Sequence, residues 1–270
     1  MITGKTRLFG ITADPIEHVR APQVFNPVFA ERGFDAVLVP FHVAPAGLEA
    51  LMSGFRQIRN LGGFVVTVPH KLRTAELCDE VGPAGRLIGS VNAVRREPDG
   101  RLVGEMFDGK GFVAGLEQAG YDLRGRDVLL VGAGGAGRAI AFAVAEAGAR
   151  RLTIANRTAR RAEELAQAVL RATPAVEVLA GPADPAGRDL VINATSLGLK
   201  PNDPLPIDVG RLEPATAVAE IIMEPETTAL LTAAEARGCP IFYGRPMLAC
   251  QVDLIADFIG VPKRARAASS

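Results

Sequence analysis

The stretch Asp127–Ala147, DVLLVGAGGAGRAIAFAVAEA, decides the fold. Residues Val128–Val131 form a short apolar run with β-branched ends, which predicts a buried strand. Gly132, Gly134 and Gly137 follow it at G-x-G-x-x-G spacing, and an alanine-rich segment then continues as a predicted helix. The strand, the loop and the helix together have the order of a dinucleotide-binding βαβ unit.

Each glycine of such a loop has its own physical reason. The first allows a tight turn, the second lets the backbone approach a pyrophosphate, and the third lets the helix pack close to the strand. The helix N-terminus then faces the phosphate charge. The motif alone is weak evidence, but the strand before it and the helix after it supply the context that it requires. We therefore predict a nucleotide site; the alternative is a close-packed turn without a ligand.

Composition limits the classes of protein that remain. The chain has 270 residues, of which 48% are hydrophobic, so it can form one large or two modest domains rather than a disordered chain. Its 30 Lys and Arg balance its 30 Asp and Glu, which gives no electrostatic reason for nucleic acid or an anionic membrane as partner. The sequence shows no membrane-spanning apolar run and no signal-peptide core. Three cysteines without metal-ligand spacing indicate reduced thiols in a cytoplasmic protein, without a metal site.

The rest of the chain alternates strand and helix signals. Before the glycine loop, strands are expected at 6–13, 36–43 and 64–68, helices at 22–32 and 45–59, and a hairpin turn at Asp99-Gly100. After it, the alternation continues and favours a doubly wound parallel sheet. Because the loop lies in the middle of the chain, a separate α/β domain must precede it. We expect two α/β domains, with the active site in the cleft between them.

Arginines follow the second strand of the predicted nucleotide unit. A site specific for NAD usually places Asp or Glu there to bind the ribose 2′-hydroxyl, whereas Arg suits a 2′-phosphate. Here the segment reads Asn156-Arg157-Thr158, and Arg160 and Arg161 add charge nearby. The sequence therefore predicts NADP as cofactor; the alternative is that Arg157 stacks on the adenine and that NAD is used.

A second informative stretch is GFVVTVPHK, residues 63–71. It predicts a strand that presents His70 and Lys71 at its carboxyl end, where α/β sheets place their ligand sites. Lysine can act as a general acid or base, and Asp108 in the segment MFDG is a candidate partner. The alternative for each residue alone is a solvated surface charge.

Five groups of motifs, in order, resemble the shikimate dehydrogenase family along nearly the whole chain. They are VTVPHK (66–71), IGSVNAV (88–94), FDG (107–109), GAGGAGRA (132–139) with ANRTARRAEELA (155–166), and INATSLG (192–198) with GRPMLACQ (244–251). The resemblance implies a discontinuous substrate domain, residues 1–107 plus 245–270, and a Rossmann-like NAD(P)-binding domain, residues 108–244. It implies reversible oxidation of a ring hydroxyl on a shikimate- or quinate-like cyclic hydroxy acid. A monomer or a homodimer is expected.

The resemblance also implies roles for individual residues. Lys71 matches the catalytic lysine and Asp108 its partner, while Thr67, Asn92 and Gln251 match positions that hydrogen-bond substrate hydroxyls. The positions that match cofactor contacts are Gly132, Ala133, Gly134, Gly135, Ala136, Asn156, Arg157, Thr158, Arg161, Ile221 and Gly244.

Departures from the family pattern concentrate where the family grips the substrate carboxylate. The stretch of its Ser-x-Ser pair reads His18-Val19-Arg20-Ala21-Pro22 here, with both serines gone. A tyrosine of the family is replaced by Met223, and an aspartate by Glu220. We hypothesise that Arg20 replaces the serines, or that the substrate differs from shikimate. The alternative for Arg20 is a solvated residue at the start of a helix.

Three functions remain open at this point. The leading one is an NADP-linked dehydrogenase of a shikimate-like acid. The second is a ligand-sensing or regulatory homologue without turnover, which retention of both Lys71 and Asp108 disfavours. The third is a methylene-folate-type dehydrogenase, which the segments NRT and MLACQ disfavour.

Overall fold

The computed structural model of the chain describes residues 2–17 and 19–261; Met1, His18 and the last nine residues lie outside this description. The chain divides into two compact units, Met1–Phe107 with Gln251–Ser270, and Asp108–Cys250. Each unit is built on one six-stranded sheet. Among the described residues, we find no helix with the length and apolar character needed to cross a bilayer.

The first unit contains a mixed sheet. Its strands are β1 (Arg7–Ala13), β2 (Ala36–His42), β3 (Leu61–Val66), β4 (Glu80–Val81), β5 (Ala93–Arg96) and β6 (Leu102–Glu105), and its helices are α1 (Ala21–Glu31), α2 (Leu48–Gln57), α3 (Lys71–Leu77) and α4 (Pro83–Ile88). The strand order is β2-β1-β3-β5-β6-β4. Strands β1, β2 and β3 are parallel, and β5 runs antiparallel to both of its neighbours.

The core of this unit is aromatic. Phe9 of β1 packs on Phe29 of α1 with ring centroids 5.1 Å apart, and Phe55 of α2 packs on Phe64 of β3 at 4.8 Å. All six residues of β3 are buried, because the strand lies in the middle of the sheet with helices over it. This buried strand fixes the position of the segment that follows it, Thr67 to Lys71.

The second unit contains an all-parallel sheet. Its strands are β7 (Asp127–Val131), β8 (Arg151–Ala155), β9 (Glu177–Ala180), β10 (Leu190–Asn193), β11 (Ala217–Glu220) and β12 (Ile241–Phe242), and its helices are α5 (Asp108–Gln118), α6 (Gly135–Glu146), α7 (Ala159–Ala172), α8 (Ala229–Glu235) and α9 (Arg245–Phe258). The order β12-β11-β10-β7-β8-β9 is the doubly wound order of a Rossmann-like sheet.

The helix α7 shows why these segments fold as they do. Its buried residues Ala162, Leu165, Ala166 and Val169 recur at helical spacing and form one apolar face, while its arginines and glutamates face solvent. The chain thus alternates buried strands with amphipathic helices. The predicted fold class, two α/β sheets of which one is Rossmann-like, is confirmed.

The last helix, α9, begins in the second unit and ends in the first. Arg32, whose side chain is 7% exposed, holds its final turns by pairing with Asp253 and Asp257, both at 2.6 Å. Arg32 also donates a hydrogen bond to the carbonyl of Val261. The C-terminal segment is therefore an integral part of the first unit, which places Gln251 within it.

Candidate functional site

The glycine loop lies at the point where the strand order of the second sheet reverses. It follows β7, whose neighbours in the sheet are β8 and β10, and the segments that leave β7 and β10 diverge there. In open α/β sheets, ligands bind in the crevice outside such a switch point. Gly132 has φ +113°, and a Cβ on it would lie 2.6 Å from the carbonyl oxygen of Ala194.

The other two glycines of the motif differ from each other. A Cβ on Gly137 would collide with the carbonyl of Gly132, so this glycine permits close packing of α6 on β7. A Cβ on Gly134 would meet nothing within 4 Å, and this residue lies immediately before the first turn of α6. The free space therefore faces the helix N-terminus, which favours an anion such as a pyrophosphate. The loop fits a dinucleotide.

Asn156 connects this loop to the arginines that follow β8. Its side-chain oxygen accepts a hydrogen bond from the backbone of Ala133 at 3.1 Å, and its amide donates to the carbonyl of Thr158 at 3.0 Å. Arg157 and Arg161 are exposed there and have no carboxylate partner among the described residues, whereas Arg160 pairs with Glu164 at 2.7 Å. Two unneutralised guanidinium groups thus lie beside the loop, as a 2′-phosphate would require.

A buried carboxylate organises the far side of the switch point. Glu220, 1% exposed at the end of β11, accepts hydrogen bonds from Asn193 at 2.9 Å, from Thr228 at 3.1 Å and from the backbone of Ile221 at 2.8 Å. Burial raises the pKa of this carboxyl above its ordinary value, against the lowering effect of these donors. In the sequence, Glu220 stood out only as a departure from the family pattern. The one sequence feature that pointed to this hydrogen-bond network was Asn193 in the motif INATSLG.

Gly244 packs directly on this network. A Cβ on it would lie 2.7 Å from the carbonyl carbon of Ile221. Gly244 and Ile221, which are both predicted cofactor contacts, are therefore adjacent in the second unit. The predicted cofactor residues of the second unit follow the ends of β7, β8, β11 and β12, which form one edge of the parallel sheet.

In the first unit, the corresponding edge carries the predicted substrate residues. β1 and β3 end side by side, and the backbone of Thr67 donates to the carbonyl of Thr12 at 3.1 Å. Lys71 is the first residue of α3, a short helix that the sequence did not predict. His70, 1% exposed, hydrogen-bonds through Nε2 to the carbonyl of Val43 at 2.8 Å, which ties the start of α3 to the end of β2.

Asn92 and Gln251 form a buried amide pair. Each is 3% exposed, and the amide of Asn92 donates to the side-chain oxygen of Gln251 at 2.8 Å although 159 residues separate them. The oxygen of Asn92 accepts from the backbone of Phe107 at 2.9 Å. Two of the predicted substrate residues are thus in direct contact.

The remaining predicted residues lie at element starts. Asp108, 3% exposed, begins α5, where the helix dipole favours a carboxylate. It belongs to the second unit and Lys71 to the first, so their pairing stays a prediction. Arg20 is exposed and precedes the first residue of α1.

In the part of the chain that the structure describes, no group of three or more His, Cys, Asp and Glu could hold a metal ion. Burial raises the pKa of the Cys78 thiol to about 12, so the reactive thiolate form is suppressed at neutral pH.

Two family models match the chain. Residues 11–94 match the shikimate dehydrogenase substrate binding domain, and residues 115–197 match shikimate / quinate 5-dehydrogenase. A shikimate dehydrogenase (NADP(+)) from Rubrobacter xylanophilus is 43% identical over 256 residues, which cover 93% of this chain and 89% of that protein.

Solved structures also match the chain over nearly its whole length. A shikimate dehydrogenase in complex with NADP+ is 31% identical, with a TM-score of 0.89 over 97% of this chain and 93% of that one. A ligand-free 5-ketofructose reductase of Gluconobacter is 33% identical, with a TM-score of 0.84 over 97% and 95%. These matches confirm the resemblance that the sequence motifs predicted.

Proposed function

Because the chain belongs to the shikimate dehydrogenase family, we propose that it is an NADP-linked oxidoreductase that interconverts a ring hydroxyl and a ketone on a shikimate- or quinate-like cyclic hydroxy acid. The observation that carries the proposal is a glycine loop with free space at a switch point in one unit, combined with Lys71 and a buried amide pair in the other. The carbonyl of Lys71 accepts a hydrogen bond at 3.1 Å from the backbone of Val91, the residue before Asn92 of that pair. NAD is the alternative cofactor.

The proposed chemistry divides between the two units. NADP, held by the glycine loop and the arginines that follow β8, would supply the acceptor for the hydride of the substrate alcohol. Lys71 takes the proton of the same hydroxyl as the ketone forms, and returns it in the reverse direction. Asp108 orients Lys71 and a substrate hydroxyl.

The substrate's other hydroxyls would be recognised by polar side chains. Thr67, Asn92 and Gln251 offer donors and acceptors for them. Because the amide pair is already buried, an analogue that lacks a hydroxyl there would leave a polar group unsatisfied, which gives strong discrimination.

The substrate carboxylate needs a positively charged or hydrogen-bonding partner of its own. The segment that leads into α1 lacks the two serines: Val19 precedes the helix, Ala21 is its first residue, and Arg20 between them is the one cation of that segment. We infer that Arg20 supplies the charge that holds the acid. Isothermal titration of the Arg20→Ala protein with shikimate tests this role, and unchanged affinity would refute it.

A second candidate follows from the same loop. Without the serine hydroxyls, the second candidate substrate is a keto-sugar that has no carboxylate, which the similarity to a 5-ketofructose reductase at 33% identity favours. Arg20 would then be a solvated residue whose removal has no effect on turnover.

One experiment separates these candidates. Reduced-cofactor absorbance is followed with NADP and NAD against shikimate and quinate, and with the reduced cofactors against 5-ketofructose. Turnover of a cyclic hydroxy acid supports the first candidate, and turnover of the keto-sugar alone supports the second. Binding without turnover of any of them would instead indicate a ligand-sensing homologue.

A further inference from the structure

A cavity of about 760 Å³ lies in the first unit, at the end of the sheet opposite Lys71. Arg7 begins β1, Arg59 lies just before β3, and Arg96 ends β5, which runs antiparallel to β3. These three residues therefore share the amino-terminal edge of β1 and β3. Thr67 follows the carboxyl end of β3, about 20 Å away by the length of a six-residue strand. The cavity is separate from the substrate residues proposed above.

The cavity carries an excess of positive charge. Five arginines and two aspartates line it: Arg7, Arg56, Arg59, Arg96, Arg101, Asp79 and Asp99. Each aspartate already forms an ion pair with one of these arginines: Asp79 with Arg56 at 2.5 Å, and Asp99 with Arg101 at 2.8 Å.

The other three guanidinium groups carry charges that no nearby carboxylate balances within residues 2–17 and 19–261. Arg7, Arg59 and Arg96 form no ion pair with any carboxylate in the described part of the chain. The chain as a whole has a formal charge of zero, so this local excess is not a property of its composition.

Part of this arrangement is held rigidly. Arg96 donates to the carbonyls of Phe55 at 3.1 Å and of Arg56 at 2.7 Å, so its guanidinium caps the C-terminus of α2. Gly100, with φ +93°, brings the hairpin turn against the same helix end, where a Cβ would lie 2.9 Å from the carbonyl oxygen of Arg56. The helix end and the hairpin turn thus form fixed walls, and Arg7 and Arg59 are exposed at the opening.

We propose that this cavity binds a small anion that carries two or more phosphate groups. Guanidinium groups match phosphate oxygens in a bidentate geometry, and three unneutralised ones call for a ligand with several negative charges. The volume lies within the range of small-molecule sites. The residues that line the cavity include no aromatic side chain, so charge rather than stacking on a ring would provide the affinity.

Isothermal titration of the full chain with inorganic pyrophosphate tests this proposal. The titration is run with saturating NADP, so that the glycine loop is occupied and cannot bind the probe, and again without NADP, because NADP itself carries phosphates that could occupy the cavity. We expect one site whose affinity falls as KCl is raised. In the double variant Arg7→Gln, Arg59→Gln, the Kd should rise about a hundredfold, since each lost charge-assisted contact is worth roughly tenfold or more.

The controls make each outcome decisive. Arg171→Gln removes an exposed arginine from the C-terminal end of α7 and should leave the Kd unchanged. If the double variant fails to melt like the parent chain, Arg59→Gln alone, in a loop, should still raise the Kd about tenfold. Absence of binding, or an unchanged Kd in the double variant, would overturn the proposal. So would binding only to an RNA oligonucleotide or only to vesicles that contain an inositol phospholipid.

Discussion

The glycine loop of the second unit consists of backbone from one short stretch, whereas the polar groups of the first unit come from distant parts of the chain. The role of Gly132, Gly134 and Gly137 depends on the absence of a Cβ. At Gly132 and Gly137 a Cβ would collide with backbone, and at Gly134 it would enter open space. Asn92 and Gln251 act through what they carry, and they meet only because α9 returns to the first unit. The comparison suggests that cofactor binding and chemistry can be altered independently.

The largest expected effect separates chemistry from cofactor binding. Lys71→Ala should lower kcat by about 10²–10⁴-fold, because the group that exchanges the substrate proton is removed. The Kd for NADP, measured by titration, should not change, since the glycine loop lies in the other unit. Lys5→Ala, another lysine of the first unit, is the matched control. A kcat within a factor of two of the parent value would remove Lys71 from the mechanism.

The glycine loop itself allows a matched pair of variants. Gly137→Ala should lower both Tm and NADP affinity, because its Cβ meets the carbonyl of Gly132 and costs about 1–3 kcal/mol. Gly134→Ala adds its Cβ to open space at an ordinary extended backbone, so Tm should hold while NADP affinity falls about tenfold or more. Calorimetry and titration check both variants. Equal behaviour of the two would show that the free space at Gly134 is not the phosphate site.

These two regions also differ in how far the sequence could predict them. The strand, the glycine loop and the helix were predicted from the sequence, because the three are contiguous and the spacing of the glycines is typical of this turn. The contact between Asn92 and Gln251 could not follow from spacing; only the family resemblance placed both at the substrate. The helix that begins at Lys71 was also missed, since seven residues after a proline give little periodic signal. The arginine-lined cavity was missed because its residues come from separate segments.

Asn92→Ala tests the buried amide pair of the first unit and should have a smaller effect than the changes above. The change leaves the buried oxygen of Gln251 and the backbone N–H of Phe107 without their partner, which should cost about 1–3 kcal/mol of stability. We expect a rise in the KM for the hydroxy acid with an unchanged KM for NADP. Steady-state kinetics with each substrate varied in turn, together with a thermal melt, make the measurement. A change confined to the KM for NADP would contradict the assignment of this residue to the substrate.

A further variant pair concerns the choice of cofactor. Arg157→Ala with Arg161→Ala removes the two exposed guanidinium groups that have no carboxylate partner among the described residues. The KM for NADP should rise about tenfold or more, because charge-assisted contacts to the 2′-phosphate are lost, and the KM for NAD should stay constant. Arg160→Ala, which removes an arginine already paired with Glu164, is the control. Equal increases for both cofactors would indicate that the arginines bind a part common to NAD and NADP.

The smallest expected effect lies in the dependence of stability on pH. Burial raises the pKa of Glu220 in the folded protein above its value in the unfolded chain, so the folded state binds the proton more tightly. The free energy of unfolding should therefore decrease as pH rises from about 4.5 through the folded pKa, because the buried carboxyl then ionises at a cost. Glu220→Gln cannot ionise and should lack this component. Urea denaturation of both proteins between pH 5 and neutrality measures the difference, and parallel pH profiles would show that the donors around Glu220 fully offset its burial.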